Sequence, residues 1–430
     1  MSIEMHLLKL PEDIMCELLT SWLDMRACAR FDSACCSSDY RGVMLNLFRR
    51  VCTFKSVVFE FDKVSYMKWV CLRFIRSLRA VIRNCAVGCD EYLEMCTQFL
   101  RTSGSVISHL DIEYCSTYAL DLVASYCSSL SRLRVLDCDL EDSFWILLDS
   151  NAPTLVDLHL AVNYPIIINS NERKLVCDRL RNLSVEDLYG MISDMHLLQI
   201  VQIFPNIANF ELQRDELADE TIITILGHCR EVIDLTIFTG SEYVSASVLL
   251  SILGNRKQGY RALNLSSFAT DDEVVKAIVS KHAHTLQHIK LYATEDIDSA
   301  SYIYLLNACT ELQTLEFGLT DHKLSNMLSY IQPNRLKVIK VESSDEFLME
   351  NVVELTKCTP ALEALSVTSC FDRGGPDPRI PIQVQQCGLN CPLLRSVIVD
   401  GYYDDACYIR VGQSFEVTPT RITINSHFNV

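Results

Sequence analysis

The sequence predicts an α/β solenoid, a stack of strand–turn–helix units with a curved parallel sheet on the concave face and helices on the convex face. Three observations predict it. A short strand pattern recurs about every 26 residues, apolar residues at helical spacing lie between many of these strands, and the first 50 residues lack the strand pattern. We divide the chain into a helical module at 1–50, a junction with a degenerate first unit at 51–105, and an array of about 12–13 units with a C-terminal cap at 106–430.

The strand pattern is an apolar residue, two variable residues, an apolar residue, one variable residue and a third apolar residue. "TLVDLHL" and "ELQTLEF" are two examples, and their alternation is typical of a strand with one buried face. From Leu155 onwards the units follow one another at intervals of 24–32 residues. The first apolar positions are Ile107, Leu133, Leu155, Leu180, Ile207, Val232, Tyr260, Leu286, Leu312, Leu336, Leu362 and Leu394.

Helical segments such as "DETIITILGHC" precede the strands, and several end in a cysteine. Such a helix buries its apolar side only when neighbouring units stack against it. The 20 cysteines show no paired metal-ligand spacing, so we expect small buried apolar residues in a reducing compartment, with no metal and no cofactor. The recurrent cysteines are Cys127, Cys229, Cys309, Cys358 and Cys391.

Together these features resemble the cysteine-containing leucine-rich repeats, over about residues 106–426. The resemblance implies a curved array that binds protein through its concave face and its rim loops. No single match would carry it, but about a dozen units at nearly constant spacing do.

The segment "LPEDIMCELLTSWL" predicts a helix that begins at Pro11, since proline suits the first helical position. We expect one apolar face on this helix. Asp24 is expected to cap a second helix, and Asp32 or Ser33 a third. The residues of the predicted apolar face are Ile14, Leu18, Leu19 and Trp22.

The same segment resembles an F-box, through Leu10-Pro11, Asp13, Ile14, Leu18, Trp22-Leu23-Asp24 and Ala34-Cys35. Ala27 and Cys28 stand where the family has a leucine. The resemblance implies the substrate-recognition subunit of a Skp–cullin–F-box ubiquitin ligase, whose helices dock on a Skp-type adaptor. The alternative is a stand-alone repeat scaffold or receptor whose N-terminal helices only cap the first repeat. The implied docking residues are Leu10, Pro11, Ile14, Leu18, Trp22 and Leu23.

Acidic residues dominate the alternate, outward-facing strand positions from the Ile107 unit to the Val232 unit. The eighteen positions, counted from the first apolar residues above, contain no lysine or arginine. This pattern predicts an acidic strip that binds a basic segment of a target protein, although exposed positions of an acidic protein would also be acidic without such a role. The strip consists of Asp111, Glu113, Asp137, Asp139, Asp157, Glu186, Glu211 and Asp234.

The longest repeat contains "SCFDRGGPDPRIPIQ", whose glycines and prolines predict a loop at the rim of the array. Phe371, Arg373 and Arg379 give this loop side chains that could contact a target. A tolerated insertion without function is the alternative.

The formal net charge of −17 disfavours nucleic acid and anionic membranes as partners. The N-terminus lacks the pattern of a secretion signal, and no apolar run is long enough for a membrane span, so we expect a cytoplasmic or nuclear protein. No phosphate-binding loop, nucleophile motif or paired-carboxylate signature occurs, and we therefore expect no enzymatic activity.

Overall fold

The computed structural model divides the chain into two compact units, Met1–Arg214 and Asp215–Val430. It describes residues 11–19, 25–34, 38–50, 53–54, 57–59, 64–73, 76–84, 90–138, 140–163, 175–240, 244–254, 258–291, 297–318, 327, 330, 335–343, 349–369, 380–401, 407–410 and 416–418.

The first unit begins with helices and continues with alternating strands and helices. Its helices are α1 (Glu12–Glu17), α2 (Met25–Ala34), α3 (Ser38–Arg50), α4 (Val64–Leu72), α5 (Asp90–Ser103), α6 (Thr117–Tyr126), α7 (Asp142–Asn151) and α8 (Asp194–Ile203). Its strands are β1 (Thr53–Phe54), β2 (Val57–Phe59), β3 (Arg76–Ser77), β4 (Arg79–Arg83), β5 (His109–Glu113), β6 (Arg132–Leu136), β7 (Asp157–Ala161), β8 (Asn182–Asp187) and β9 (Asn209–Arg214).

A parallel sheet in the order β2-β4-β5-β6-β7-β8-β9 forms the centre of the first unit. Its register places Leu110, Leu133, Leu158, Leu183 and Phe210 side by side, and all five are buried. Parallel neighbours in sequence order need right-handed crossovers, which place the connecting helices on one face of the sheet. The other face is left to the outward-facing strand residues.

The second unit repeats this arrangement. Its helices are α9 (Asp219–His228), α10 (Ala246–Gly254), α11 (Asp272–His282), α12 (Ser299–Ala308), α13 (Met349–Cys358) and α14 (Ile380–Asn390). Its strands are β10 (Asp234–Phe238), β11 (Ala262–Asn264), β12 (His288–Leu291), β13 (Thr314–Gly318), β14 (Val338–Ser343), β15 (Ala364–Ser369), β16 (Ser396–Gly401), β17 (Cys407–Arg410) and β18 (Glu416–Thr418). Strands β10 to β16 are parallel, whereas β17 and β18 continue the sheet in antiparallel pairing.

The predicted alternation of strands and helices is confirmed in both units, and the chain has an α/β leucine-rich-repeat fold. The predicted register was wrong at one repeat. Strand β6 aligns Leu133 with Leu110 and Leu158, so this repeat has its first apolar residue at Leu130 and its third at Val135. The sequence "LSRLRVLDC" fits the pattern in both phases, because Leu136 and Cys138 also satisfy it.

The recurrent cysteines lie where helices end. Cys127, Cys229, Cys309 and Cys391 each follow a helix and are buried, as predicted. Cys358 is an exception. It is the last residue of α13 and is only half-buried, and the next residue, Thr359, takes the buried position. Cys177, which the strand pattern did not single out, occupies the same buried place before Leu180.

Polar side chains also tie the repeat of β7 to that of β6. The Asn151 amide donates 2.9 Å to the Cys127 carbonyl, and its oxygen accepts 2.8 Å from the Leu130 backbone N–H. The Thr154 hydroxyl donates 2.8 Å to the Leu130 carbonyl in the same repeat. These bonds satisfy backbone groups that the sheet leaves unpaired, and so they fix the spacing of neighbouring repeats.

Candidate functional site

Helix α1 divides its apolar residues between two faces. Met15 and Leu19 are buried, whereas Ile14 is 49% exposed and Leu18 is half-buried. The prediction of a single apolar face was therefore wrong, because Leu19 packs inwards, away from Ile14. One face of α1 holds the module together, and the other presents apolar side chains to solvent.

The second helix packs on α1 through the residue that replaces the family's leucine. Cys28 is fully buried, and its thiol donates 3.3 Å to the Leu19 carbonyl. A small residue thus completes this contact, while Ala27 is only half-buried.

Asp32 does not cap a helix as predicted, because it lies inside α2. Its buried carboxylate accepts 2.9 Å from the Trp69 indole N–H and 2.9 Å from the Arg73 guanidinium. These charge-assisted bonds join the N-terminal helices to α4 and the start of the sheet. Ser33 is no cap either, since its hydroxyl donates to the Ala29 carbonyl within α2.

The implied docking residues are only partly placed. Pro11 is exposed and precedes α1, next to Ile14 and Leu18. Leu10, Trp22 and Leu23 lie outside the described residues, as does Asp24. The docking role of the six stays a prediction.

The exposed face of the first unit's sheet differs from the predicted acidic strip. Because of the shifted register, β6 places Arg132 and Arg134 at its outward positions, and β4 places Arg79 and Arg83 there. The expectation that these positions lack lysine and arginine was therefore wrong.

Arginines of β4 cover the carboxylates of β5. The Arg79 guanidinium lies 2.6 Å from the Asp111 carboxylate. Arg83 holds Glu113 through two nitrogens, at 2.6 Å and 3.3 Å. Both carboxylates are buried beneath these arginines. A paired and buried carboxylate is poorly placed to meet a ligand cation.

A polar ladder crosses strands β6 to β9. Arg132 approaches the Asp157 carboxylate to 3.2 Å, and the Asn182 amide donates to the same carboxylate. The Asn209 amide donates 2.5 Å to the Asn182 oxygen. Asp157 is thus paired from both neighbouring strands.

His159, the next outward residue of β7, is uncharged at neutral pH. Burial and, to a smaller degree, the nearby Arg134 charge lower the pKa of His159 to about 4 against an opposing effect of Asp111. Its Nε2 lies 3.5 Å from the Glu186 carboxylate. With a pKa this low, the contact is not an ion pair at pH 7.

Asp137 lies beyond the end of β6 and not on its face. It has a φ of 50°, and Tyr114 occupies the matching place after β5 with a φ of 54°. This region is sterically unfavourable for a bulky side chain, so the Tyr114 backbone is strained. The nearby Asp137 charge, together with smaller effects of desolvation and of a hydrogen bond to Asp137, raises the pKa of Tyr114. Asp139 lies outside the described residues.

Asp234 belongs to the second unit and is also paired. Arg261, the residue immediately before the neighbouring strand β11, donates to both oxygens of its carboxylate. In the part of the chain that the structure describes, Glu211 faces outwards and its carboxylate accepts from the Ser184 hydroxyl, whereas Glu186 lies near His159.

Glu186 lies two residues before a loop that sequence reasoning missed, residues 188–195, which is taken to include the first two residues of α8; Glu211 lies on the neighbouring strand opposite Ser184. Four apolar side chains of this loop are exposed: Leu188, Tyr189, Met191 and Met195. They fall outside the strand pattern and outside the core, and this apolar excess between a strand and a helix start was the signal that could have found them.

The predicted rim-loop residues Phe371, Arg373 and Arg379 lie outside the described residues. Among the residues that are described, no group of three or more His, Cys, Asp or Glu side chains could hold a metal ion. Within the same residues, no helix is both long enough and apolar enough to cross a membrane.

Comparisons with known proteins add little beyond the fold. No protein-family model matches the sequence. No curated protein matches it either. Among solved structures, the chain is similar to one in the crystal structure of the Rad7 and Elc1 complex in yeast, with 13% identity and a TM-score of 0.46 over 90% of this chain and 87% of that chain. Similarity at this level carries no conclusion about function or partners.

Proposed function

We propose that the protein is a non-catalytic, substrate-recognition adaptor of a Skp–cullin–F-box type ubiquitin ligase, acting in the cytoplasm or nucleus. Its N-terminal helices dock on a Skp-type adaptor protein, its repeats bind a target protein, and a separate enzyme transfers ubiquitin. The proposal rests on the F-box-like sequence of α1 and on a repeat fold that suits protein recognition.

The observation that carries the proposal is the exposure of Ile14. An isoleucine on the first helix of the described residues remains half in solvent while its neighbour Met15 is buried. Exposed Pro11 precedes it and half-buried Leu18 follows one turn later. Exposed apolar anchors on a helix are what a helical docking interface requires.

A stand-alone scaffold is the second candidate, and the Asp32 contacts favour it. Asp32 fastens the helices to Trp69 and Arg73, as a cap that shields the first repeat from water would need. Capping leaves the exposure of Ile14 without a role, which is why we place it second.

Co-purification with a Skp-type adaptor after co-expression tests the docking proposal. We expect the wild-type chain to retain the adaptor through gel filtration and the Ile14→Lys variant to lose at least 90% of it, on the order of the 2 kcal/mol that a buried interface anchor contributes. Because Ile14 faces solvent, the variant should fold, and circular dichroism checks this.

Ile146→Lys is the matched control, because Ile146 is 45% exposed on α7 in a different helix. It should leave adaptor binding unchanged. A wild-type chain that folds but never retains the adaptor contradicts the proposal and leaves the scaffold. Equal loss in both variants also contradicts it, because the effect would then not belong to α1.

A further inference from the structure

The loop between β8 and α8 is held in one conformation by buried charge. The fully buried Asp187 carboxylate accepts 2.6 Å from the Met191 backbone N–H and 3.0 Å from that of Ile192. The Arg214 guanidinium lies 3.6 Å from Asp187 and donates 2.7 Å to Asp194. Both ends of the loop are therefore fastened to β9, and Gly190 supplies the positive φ of 63° that the turn requires.

This rigid loop exposes side chains that ordinarily avoid water. Tyr189 is 67% exposed and Met195 is 65% exposed, and Leu188 and Met191 are also exposed. Tyrosine and methionine are enriched at protein interfaces. A loop that is already ordered loses little conformational entropy when a partner binds.

Carboxylates at the edge of the loop favour a partner that carries positive charge. Glu186 is the last outward residue of β8 before the loop, and Glu211 lies on β9 in register with Ser184. The Glu211 carboxylate accepts from the Ser184 hydroxyl at 3.2 Å, and no lysine or arginine of the described residues pairs with it. Arginines of β4 and β6 form ion pairs with Asp111, Glu113 and Asp157 instead.

We propose that the loop site, formed by Leu188, Tyr189, Met191 and Met195 with Glu211 and Glu186 at its edge, binds an extended protein segment in which apolar side chains are flanked by lysine or arginine. The apolar side chains contact the loop, and the basic side chains reach the carboxylates. This site defines the class of target that the proposed adaptor recognises. Its biological role therefore rests on the proposed function. The binding itself needs no ligase.

Selection from a random twelve-residue peptide library displayed on phage, against the full-length protein, tests the site without assuming a target. We expect the enriched peptides to combine apolar residues with lysine or arginine. A synthetic copy of one such peptide, measured by fluorescence anisotropy, should bind the Tyr189→Ser/Met195→Ser variant at least tenfold more weakly. The Glu211→Lys variant should weaken binding at least fivefold and reduce its dependence on salt.

Two controls keep the outcome specific. Tyr304→Ser/Leu389→Ser removes equally exposed apolar residues of the second unit, and Glu220→Lys reverses an exposed charge on α9, so both should bind the peptide as the wild type does. No enrichment, enrichment of acidic peptides, or equal weakening in the controls overturns the proposal. Adaptor co-purification depends on Ile14 and not on this loop, so failure here and failure of the proposed function are separate results.

Discussion

Two parts of one sheet face deal with acidic residues in opposite ways. On β4 to β7, arginines of neighbouring strands cover Asp111, Glu113 and Asp157. At β8 and β9, Arg214 lies near the buried Asp187 carboxylate, below the surface of the sheet face. Glu211 stays exposed near the apolar loop. In the first part, arginines of the protein already compensate the charge of the carboxylates. The second part has its charge and apolar surface directed outwards, as a binding site requires.

The difference shows that composition alone does not locate a binding surface. Both parts carry acidic residues at outward positions. The parts differ only in whether arginines of neighbouring strands pair with these residues. A salt-bridged carboxylate must lose its partner before it can bind a ligand cation, at a cost that grows with burial. Three experiments test this difference between the two parts.

The largest expected effect follows removal of the buried charge under the loop. Asp187→Asn removes the ion pair with Arg214 and weakens the bonds to two backbone N–H groups, so we expect a loss of about 3 kcal/mol in the free energy of unfolding. Urea denaturation measures it. Glu211→Gln is the exposed control and should change the free energy of unfolding by less than about 0.5 kcal/mol. A similar small change in Asp187→Asn contradicts the account of a locked loop.

A smaller effect concerns the pH dependence of stability. It arises on β4 to β7, the compensated part, where arginines pair with the carboxylates. The pKa of His159 is lowered to about 4, so the unfolded chain binds its proton first as pH falls. The neutral His159 imidazole makes its full contribution to the free energy of unfolding above pH 6.5. This contribution is lost as pH falls towards 4, by about 2 kcal/mol between pH 7.5 and pH 5. His159→Gln should flatten the pH dependence of unfolding in that range. Unchanged pH dependence in the variant contradicts the neutral, buried state of the imidazole.

The smallest effect separates two arginine pairs of the compensated part. A double-mutant cycle of Arg79→Gln and Asp111→Asn should give a coupling energy of about 1 kcal/mol, because the Asp111 carboxylate is buried. The same cycle on Arg132 and Asp157 should give about 0.3 kcal/mol, because the contact is longer and more exposed. Equal coupling energies would show that burial does not set the strength of these pairs.

Periodicity predicted most of the fold. The strand pattern and the helix between strands depend only on spacing along the chain. The structure confirms the strands from β5 to β16 and the helices between them, except in the β7–β8 and β13–β14 intervals, which lie partly outside the described residues. The exception at Leu133 is informative. Its sequence satisfies the pattern in two phases, and only pairing with β5 and β7 selects one of them. That three-residue shift moved Asp137 off the sheet face and brought Arg132 and Arg134 onto it.

The candidate sites were harder to predict because they depend on contacts between distant residues. Asp187 and Arg214 are separated by 27 positions, and nothing in either segment indicates that they meet. Around α1, spacing grouped Ile14 with Leu19, but packing buries Leu19 and leaves Ile14 half in solvent. Sequence locates the elements that carry the sites, whereas packing decides which of their side chains remain free to bind.

Site-specific photo-crosslinking tests the comparison of the two parts most directly. Benzoylphenylalanine replaces Met195 of the loop site or, in a second protein, Arg134 on the compensated face, where the replacement leaves the ion pairs of Arg79, Arg83 and Arg132 in place. Each protein is irradiated with the peptide selected from the library. We expect about ten times more crosslinked peptide at position 195 than at position 134, since the loop site combines apolar contact with the exposed Glu211 carboxylate. Equal crosslinking at the two positions, or more at 134, would contradict the difference between the two parts.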